Sequence, residues 1–233
     1  MLVLDDLVLE RGNFRLAADW SLAKGRRLAL IGPSGAGKST LLDAIAGFLT
    51  PRRGRILWQG RDITSLPPAA RPMTILFQDH NLLPHLDVFA NVAIGLDPRL
   101  KLAPEDERKV RAVLTRVGLA GLEGRRPAAL SGGQRSRVAL ARALARARPL
   151  LLLDEPFAAL GPAMRAEMLD LVCETAAESG ATVLLVTHQP EDARRLGDLA
   201  SVVVEGRAAP PVPVEALLAA PPAALARYLG PGE

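Results

Sequence analysis

Residues 27–40 read RLALIGPSGAGKST. Leu28 to Ile31 form an apolar run too short for a helix and bounded by Gly32, which marks a buried strand. From Ser39 onward, STLLDAIAGF places apolar residues at helical spacing, and Pro51 and Gly54 are expected to stop that helix. Between the two, Gly32, Pro33, Ser34, Gly35, Ala36, Gly37, Lys38, Ser39 and Thr40 match G-x-x-x-x-G-K-[ST]. A strand, a glycine-rich loop and a helix in this order can cradle phosphate. Glycine lets the backbone bend until successive N–H groups point inward, and the helix start adds roughly half a positive charge. Within the loop, Lys38 would reach the β- and γ-phosphates of a nucleotide. The Ser39 hydroxyl would ligate Mg²⁺, and Thr40 would help to hold the phosphates.

The same pattern of short apolar strands recurs downstream. LLLLD (150–154) and TVLLVTH (182–188) read as strands, with the helical PAMRAEMLDLVCETAAE (162–178) between them. Apolar strands alternating with helices predict an α/β fold with a parallel sheet covered on both faces. Asp154 leaves its strand at the C-terminal end, where it can hold Mg²⁺ through a water. The adjacent Glu155 can activate a water for attack. Upstream, MLVLDDLVL and FRLAADWSL read as strands around a turn at Arg11-Gly12-Asn13, RGRILWQGRDI as a hairpin and MTILF as a further strand. Residues 79–148 turn helical through VFANVAIGL, PEDERKVRAVLTRVGL and SGGQRSRVALARALARA. They predict a helical lobe inserted between strands. The core would then comprise about 1–78 and 149–205, followed by an Ala- and Pro-rich tail with one short helix.

Composition narrows the classes. Of 233 residues, 49% are apolar and 23% charged, which excludes a disordered chain. Cys173 stands alone, so an intramolecular disulfide is impossible. The longest apolar run, Ala216–Ala220, falls far short of the ~18 residues of a membrane span. MLVLDDLVLE carries acids where a signal peptide needs basic residues. The expectation is a cytoplasmic chain that meets a membrane through a partner. A net charge of +4, well mixed, argues only weakly for nucleic acid.

Leu130-Ser131-Gly132-Gly133-Gln134 adds the most informative pentapeptide. With the phosphate loop upstream and LLLLDEP downstream, the chain resembles the ATP-binding cassette (ABC) ATPases over nearly its whole length. Gln78 after MTILF and His188 after TVLLVT match the family's Q-loop and switch histidine. The resemblance implies a P-loop core with an N-terminal antiparallel β region and an inserted helical subdomain, with ATP and Mg²⁺ as ligands. It implies catalytic roles for Glu155, His188 and Gln78, and Mg²⁺ held by Ser39, Gln78 and Asp154. It also implies a homodimer packed head to tail, in which the signature residues act in trans on the partner's ATP. The physics agrees, since Ser131 and two glycines open a helix whose N–H groups and dipole favour an anion.

PSGAGKSTLLDAIAGFLTP, RPMTILFQDHNLLPHLDVFANVAIGLDPRLKL and LSGGQRSRVALARAL resemble the ATP-binding subunits of bacterial importers, those for thiamine above all. Subunits serving iron, polyamine or sulfate import share most of this pattern. The implied partners are a membrane permease, meeting residues 79 to about 95, and indirectly a periplasmic binding protein; nucleic acid is not among them. The implied place is the cytoplasmic face of the inner membrane, peripherally attached. Leu82, Leu83, Pro84, Leu86, Val88 and Phe89 would supply apolar surface to the permease, with core packing as the alternative for about half of them. The stretch from Gly37 to Leu130 is too short for the long coiled coil of DNA-repair relatives. Two positions depart from the family pattern. Gly161 stands where an aspartate usually follows S-A-L, and Arg11-Gly12 where an aromatic usually stacks on adenine. A guanidinium can stack on a base, so Arg11 or its neighbourhood is the candidate; Phe14 lies close by, with core packing as its alternative role.

Overall fold

The computed structural model describes residues 1–79 and 81–229. The chain opens with β1 (Leu2–Arg11) and β2 (Phe14–Leu22), paired antiparallel from Leu2↔Leu22 to Arg11↔Phe14 around the Gly12-Asn13 turn. β3 (Arg27–Ile31) leads through the glycine-rich loop into α1 (Lys38–Ala46). This helix ends sooner than Pro51 and Gly54 suggested. Gly47 turns left-handed at φ 93°, and its N–H bonds the Asp43 and Ala44 carbonyls. β4 (Arg53–Trp58) and β5 (Arg61–Asp62) form the second hairpin, with β4 on the far side of β1.

β6 (Met73–Leu76) precedes α2 (Val88–Ala93), α3 (Pro104–Arg116) and α4 (Gly132–Ala145). β7 (Leu150–Asp154), α5 (Pro162–Ser179), β8 (Thr182–Thr187), α6 (Pro190–Leu196) and β9 (Leu199–Val204) then alternate. After them come β10 (Arg207–Ala208), β11 (Val212–Pro213), α7 (Val214–Ala219) and α8 (Ala223–Leu229). The tail thus holds two helices where one was expected, because Pro221 and Pro222 interrupt the apolar pattern.

The sheet runs β5-β4-β1-β2-β10-β9-β3-β8-β7-β6, with β11 on β9. From β9 to β6 every pairing is parallel. These strands are apolar on both faces, and alternate residues feed two cores. Leu28, Leu30, Leu150, Leu152, Leu184 and Val186 pack with α1 and the antiparallel strands. Ala29, Ile31, Leu151, Leu153, Val183 and Leu185 pack with α2 to α6. The helices between β6 and β7 therefore share one continuous core with the sheet.

Arg71 is a polar residue inside this core, 2% exposed. Its guanidinium donates to the Ala44, Ile45, Leu66 and Thr64 carbonyls at 2.7–2.9 Å, which satisfies the end of α1. Hydrogen bonds from a charged donor contribute ~1.5–3 kcal/mol each, and orphaned buried carbonyls add cost. Arg71→Met is expected to destabilise the fold by ~3 kcal/mol and lower the melting temperature by roughly 6–12 °C. Thermal denaturation followed by circular dichroism checks this.

Candidate nucleotide site

Parallel register brings the functional residues to one edge. Ile31 pairs with Thr187, so Gly32 and His188 leave the sheet side by side. Asp154 pairs with Val186, and the Glu155 N–H donates to the Val186 carbonyl at 3.1 Å. Leu76 pairs with Leu153, so Gln78 emerges two residues beyond its strand as Glu155 does beyond Leu153. Gln78 is exposed.

An open cleft of about 270 Å³ lies at that edge, lined by Arg11, Phe14, Ser34, Gly35, Gly37, Lys38, Ser39, Thr40 and Glu155. The β1–β2 turn puts Arg11 and Phe14 on one wall. Gly37 bends at φ 100°, and a Cβ there would lie 2.3 Å from the Phe14 ring. Phe14 thus packs on the loop as well as on the core beneath it.

Lys38 is 5% exposed, and its Nζ donates to the Gly32 and Pro33 carbonyls at 2.7 and 2.9 Å. These bonds close the loop on itself. Burial lowers the Lys38 ammonium from its ordinary range, against the pull of Glu155 and Asp154. Burial likewise raises the Asp154 carboxyl, against its 2.9 Å hydrogen bond from Ser39 Oγ. One hydroxyl and one carboxylate make an oxygen donor set for a hard cation, while Gln78, exposed two residues beyond β6, does not line the cleft. Such a set suits Mg²⁺, which keeps waters and takes phosphate oxygens as further ligands. Glu155 Oε2 lies 3.1 Å from His188 Nδ1. Glu155 also has φ 44°, a strained backbone for a non-glycine residue.

The signature residues stand elsewhere: among the described residues, none of Leu130 to Gln134 lines this cleft. Leu130 is buried and Ser131 exposed. Ser131 Oγ accepts from the Gln134 N–H, and Gln134 Oε1 accepts from the Ser131 N–H, a complete capping box. Gly132 and Gly133 lie between those capped residues at the helix tip. A Cβ on Gly133 would meet Met164 Sδ at 2.4 Å, so α5 packs closely beneath the tip.

A sequence model of the family described as "ABC transporter" matches residues 17–158. The chain belongs to the ABC transporter family. Curated relatives match nine-tenths or more of the chain. A protein of Cereibacter sphaeroides named thiamine import ATP-binding protein ThiQ is 60% identical, covering 99% of this chain and all of the relative. The proteins of that name from Brucella suis and Escherichia coli are 50% and 47% identical, covering 97% and 90% of this chain and 95% and 90% of theirs. Solved ABC cassettes share the fold. A nucleotide-free cassette superposes with a TM-score of 0.86 at 27% identity, covering 99% of both chains. A dimeric cassette in a post-hydrolysis state with ADP and Pi gives 0.81 at 28% identity, covering 92% of this chain and 99% of its own.

Several residues of this ABC chain escaped the sequence reading. Asn91 is fully buried; its side chain bonds the Leu83 N–H and the Leu83, Leu86 and Asp87 carbonyls, which shapes segment 83–87. A lone amide inside VFANVAIGL was the available signal. Val88 is wholly buried and belongs to the core, and Phe89 lies partly covered, 5.0 Å from the Arg111 guanidinium. Leu83 and Pro84 are exposed, while Leu82 and Leu86 are half-buried. Phe48, 56% exposed, packs on Phe77 with ring centroids 5.8 Å apart and adds apolar surface beside Gln78. His80, inside the expected permease segment, lies outside the described residues.

Gly37→Ala would force a left-handed φ on a residue with a Cβ and drive that atom into Phe14. Strain of ~1–3 kcal/mol translates into MgATP binding weakened by about 5- to 150-fold. Titration with a fluorescent ATP analogue measures the loss, and adding Phe14→Ala should restore only part of it.

Proposed function

We propose that the chain is the ATP-hydrolysing subunit of a bacterial importer and energises thiamine uptake through a membrane permease. The observation that carries hydrolysis is the Glu155–His188 contact, 3.1 Å, beside the phosphate-loop cleft. The solute reading rests on the 60% identical thiamine import relative, matched end to end.

In this reading the loop amides and Lys38 hold the β- and γ-phosphates, and Arg11 with Phe14 forms the wall on which adenine rests. Ser39, Asp154 and Gln78 hold Mg²⁺, which neutralises phosphate charge when bound. Glu155 accepts a proton from a water as its oxygen bonds to the γ-phosphorus; the bond to the bridging oxygen breaks, leaving ADP and phosphate. His188 orients the Glu155 carboxylate and contacts the γ-phosphate.

The tip of α4 needs a partner's nucleotide, since it does not border its own cleft. Two copies packed head to tail provide it, and the dimeric form of a similar solved cassette supports this arrangement. Among the described residues no helix is long and apolar enough to cross a membrane. A permease would instead rest on exposed Leu83 and Pro84 and on the Phe48–Phe77 pair. That contact would hold the chain peripherally on the cytoplasmic face of the inner membrane, with the periplasmic binding protein met only through the permease.

Glu155→Gln is expected to slow ATP turnover by ~10²-fold or more while preserving nucleotide binding. It should trap an ATP-bound dimer, visible by size-exclusion chromatography with light scattering. Deleting the coding sequence should abolish uptake of radiolabelled thiamine and leave spermidine and sulfate uptake intact. Unchanged thiamine uptake would refute the solute reading.

Gly161 has an extended backbone at φ −64° and ψ 158°, and a Cβ there meets nothing within 4 Å. It caps α5 without a side-chain acceptor. Gly161→Asp should therefore fold, gain a few tenths of a kcal/mol from capping, and raise the Hill coefficient of ATP hydrolysis by restoring a polar link across the dimer. An unchanged coefficient would argue against that link.

A further inference from the structure

Behind His188 lies a buried polar chain that the catalytic account does not use. Thr187 Oγ1 donates to Asp192 Oδ2 at 2.6 Å and accepts from the Gln189 N–H at 3.1 Å. One hydroxyl thus ties down the residues on both sides of His188. Arg165 Nε stands 3.3 Å from Asp192 Oδ1, with both side chains about one-eighth exposed. Burial pushes the Asp192 carboxyl up, while Thr187 and Arg165 hold it down. A buried ion pair adds little net stability over well-packed apolar side chains, so stability alone gives no reason for one here.

Arg165 sits in the first turn of α5, its N–H bonded to the Gly161 carbonyl at 3.0 Å. The residue before it, Met164, is the one that lies beneath Gly133 of the signature. Two adjacent residues on one helix therefore touch the signature tip on one side and the support of His188 on the other. We propose that Arg165 and Asp192 are a positioning pair for His188, through Thr187, and that the α5 turn carries the state of the signature tip to that histidine within one chain. The proposal rests on the hydrolytic reading of His188 and Glu155. It gives a chain with glycine at position 161 a side-chain route between its two nucleotide-facing ends.

Arg165→Met and Asp192→Asn are the test variants, with Arg165→Lys as the conservative one. Arg116→Met is the control, because it breaks the Arg116–Glu178 pair on the far end of the same helix. The expected result is a kcat for ATP lowered tenfold or more in Arg165→Met, with KM within about twofold, partial recovery in Arg165→Lys and wild-type kcat in the control. Adding Met164→Ala should lower the Hill coefficient without altering the kcat of a single turnover. The chain has three histidines, so ¹³C-labelled imidazole resonances report the positioning directly. The His188 signal should move in Arg165→Met and Asp192→Asn while His85 stays in place. Wild-type kcat in Arg165→Met, an equal loss in the control, or an unmoved His188 resonance would overturn the proposal. A wild-type chain that binds MgATP without turning it over would instead count against the hydrolytic reading, and the imidazole spectrum would still decide the positioning.

Discussion

Parallel pairing of β3, β8 and β7 is the constraint on which the site depends. Ile31↔Thr187 and Asp154↔Val186 align the ends of three strands, and the residues that follow them have one edge to share. The register is held by burial on both faces. A slip of one residue would exchange the leucines of the two cores along each strand, sending Leu152 and Leu184 toward α5 and Leu153 and Leu185 toward α1. Hydrophobic packing some distance below the surface thus sets the spacing among the phosphate loop, Glu155 and His188. The chemistry needs no separate scaffold.

Much of this was legible because it is local. RLALIGPSGAGKST encodes strand, loop and helix within fourteen consecutive positions, 27–40, and LLLLDEP announces a strand end with two acids. The signature could be recognised as a helix start from Ser131 and its glycines. The unread part is contact between residues far apart in sequence. Nothing in FRLAADWSL says that Phe14 closes over Gly37, since that contact depends on how the β1–β2 hairpin leans. Arg165 and Asp192 lie 27 positions apart with no motif to link them, and only folding buries them together. Val88 stayed open between permease surface and core because VFANVAIGL is apolar nearly all round, and periodicity then gives no inward face.

The two helix tips are built for different tasks, and their caps show it. α1 begins after Gly37 with no side-chain acceptor on its first amides. The loop before it supplies no carboxylate that would compete with a phosphate, and its one hydroxyl is that of Ser34. α4 begins with a reciprocal box between Ser131 and Gln134. That box stiffens the tip and satisfies two of its donors, while the glycine amides between them remain outside it. In the proposed head-to-tail dimer, a preformed, partly satisfied tip suits a surface that meets a separately bound nucleotide, because little ordering remains to be done on contact. An open cradle suits the chain's own ligand, which can fold the loop around itself.

Strain at Glu155 completes the argument. A glutamate at φ 44° costs of order 1–3 kcal/mol relative to relaxed backbone. The cost is tolerated because the Glu155 N–H is held by Val186 and the next residues, Pro156 and Phe157, are buried. An unstrained continuation of β7 would carry the chain straight on beyond Asp154. The left-handed bend turns it at once, and both acids stay at the same edge, Asp154 against Ser39 and Glu155 against His188. In a straight strand two adjacent carboxylates would point to opposite faces; the bend keeps both at one edge, where the proposed function gives one a cation and the other a proton.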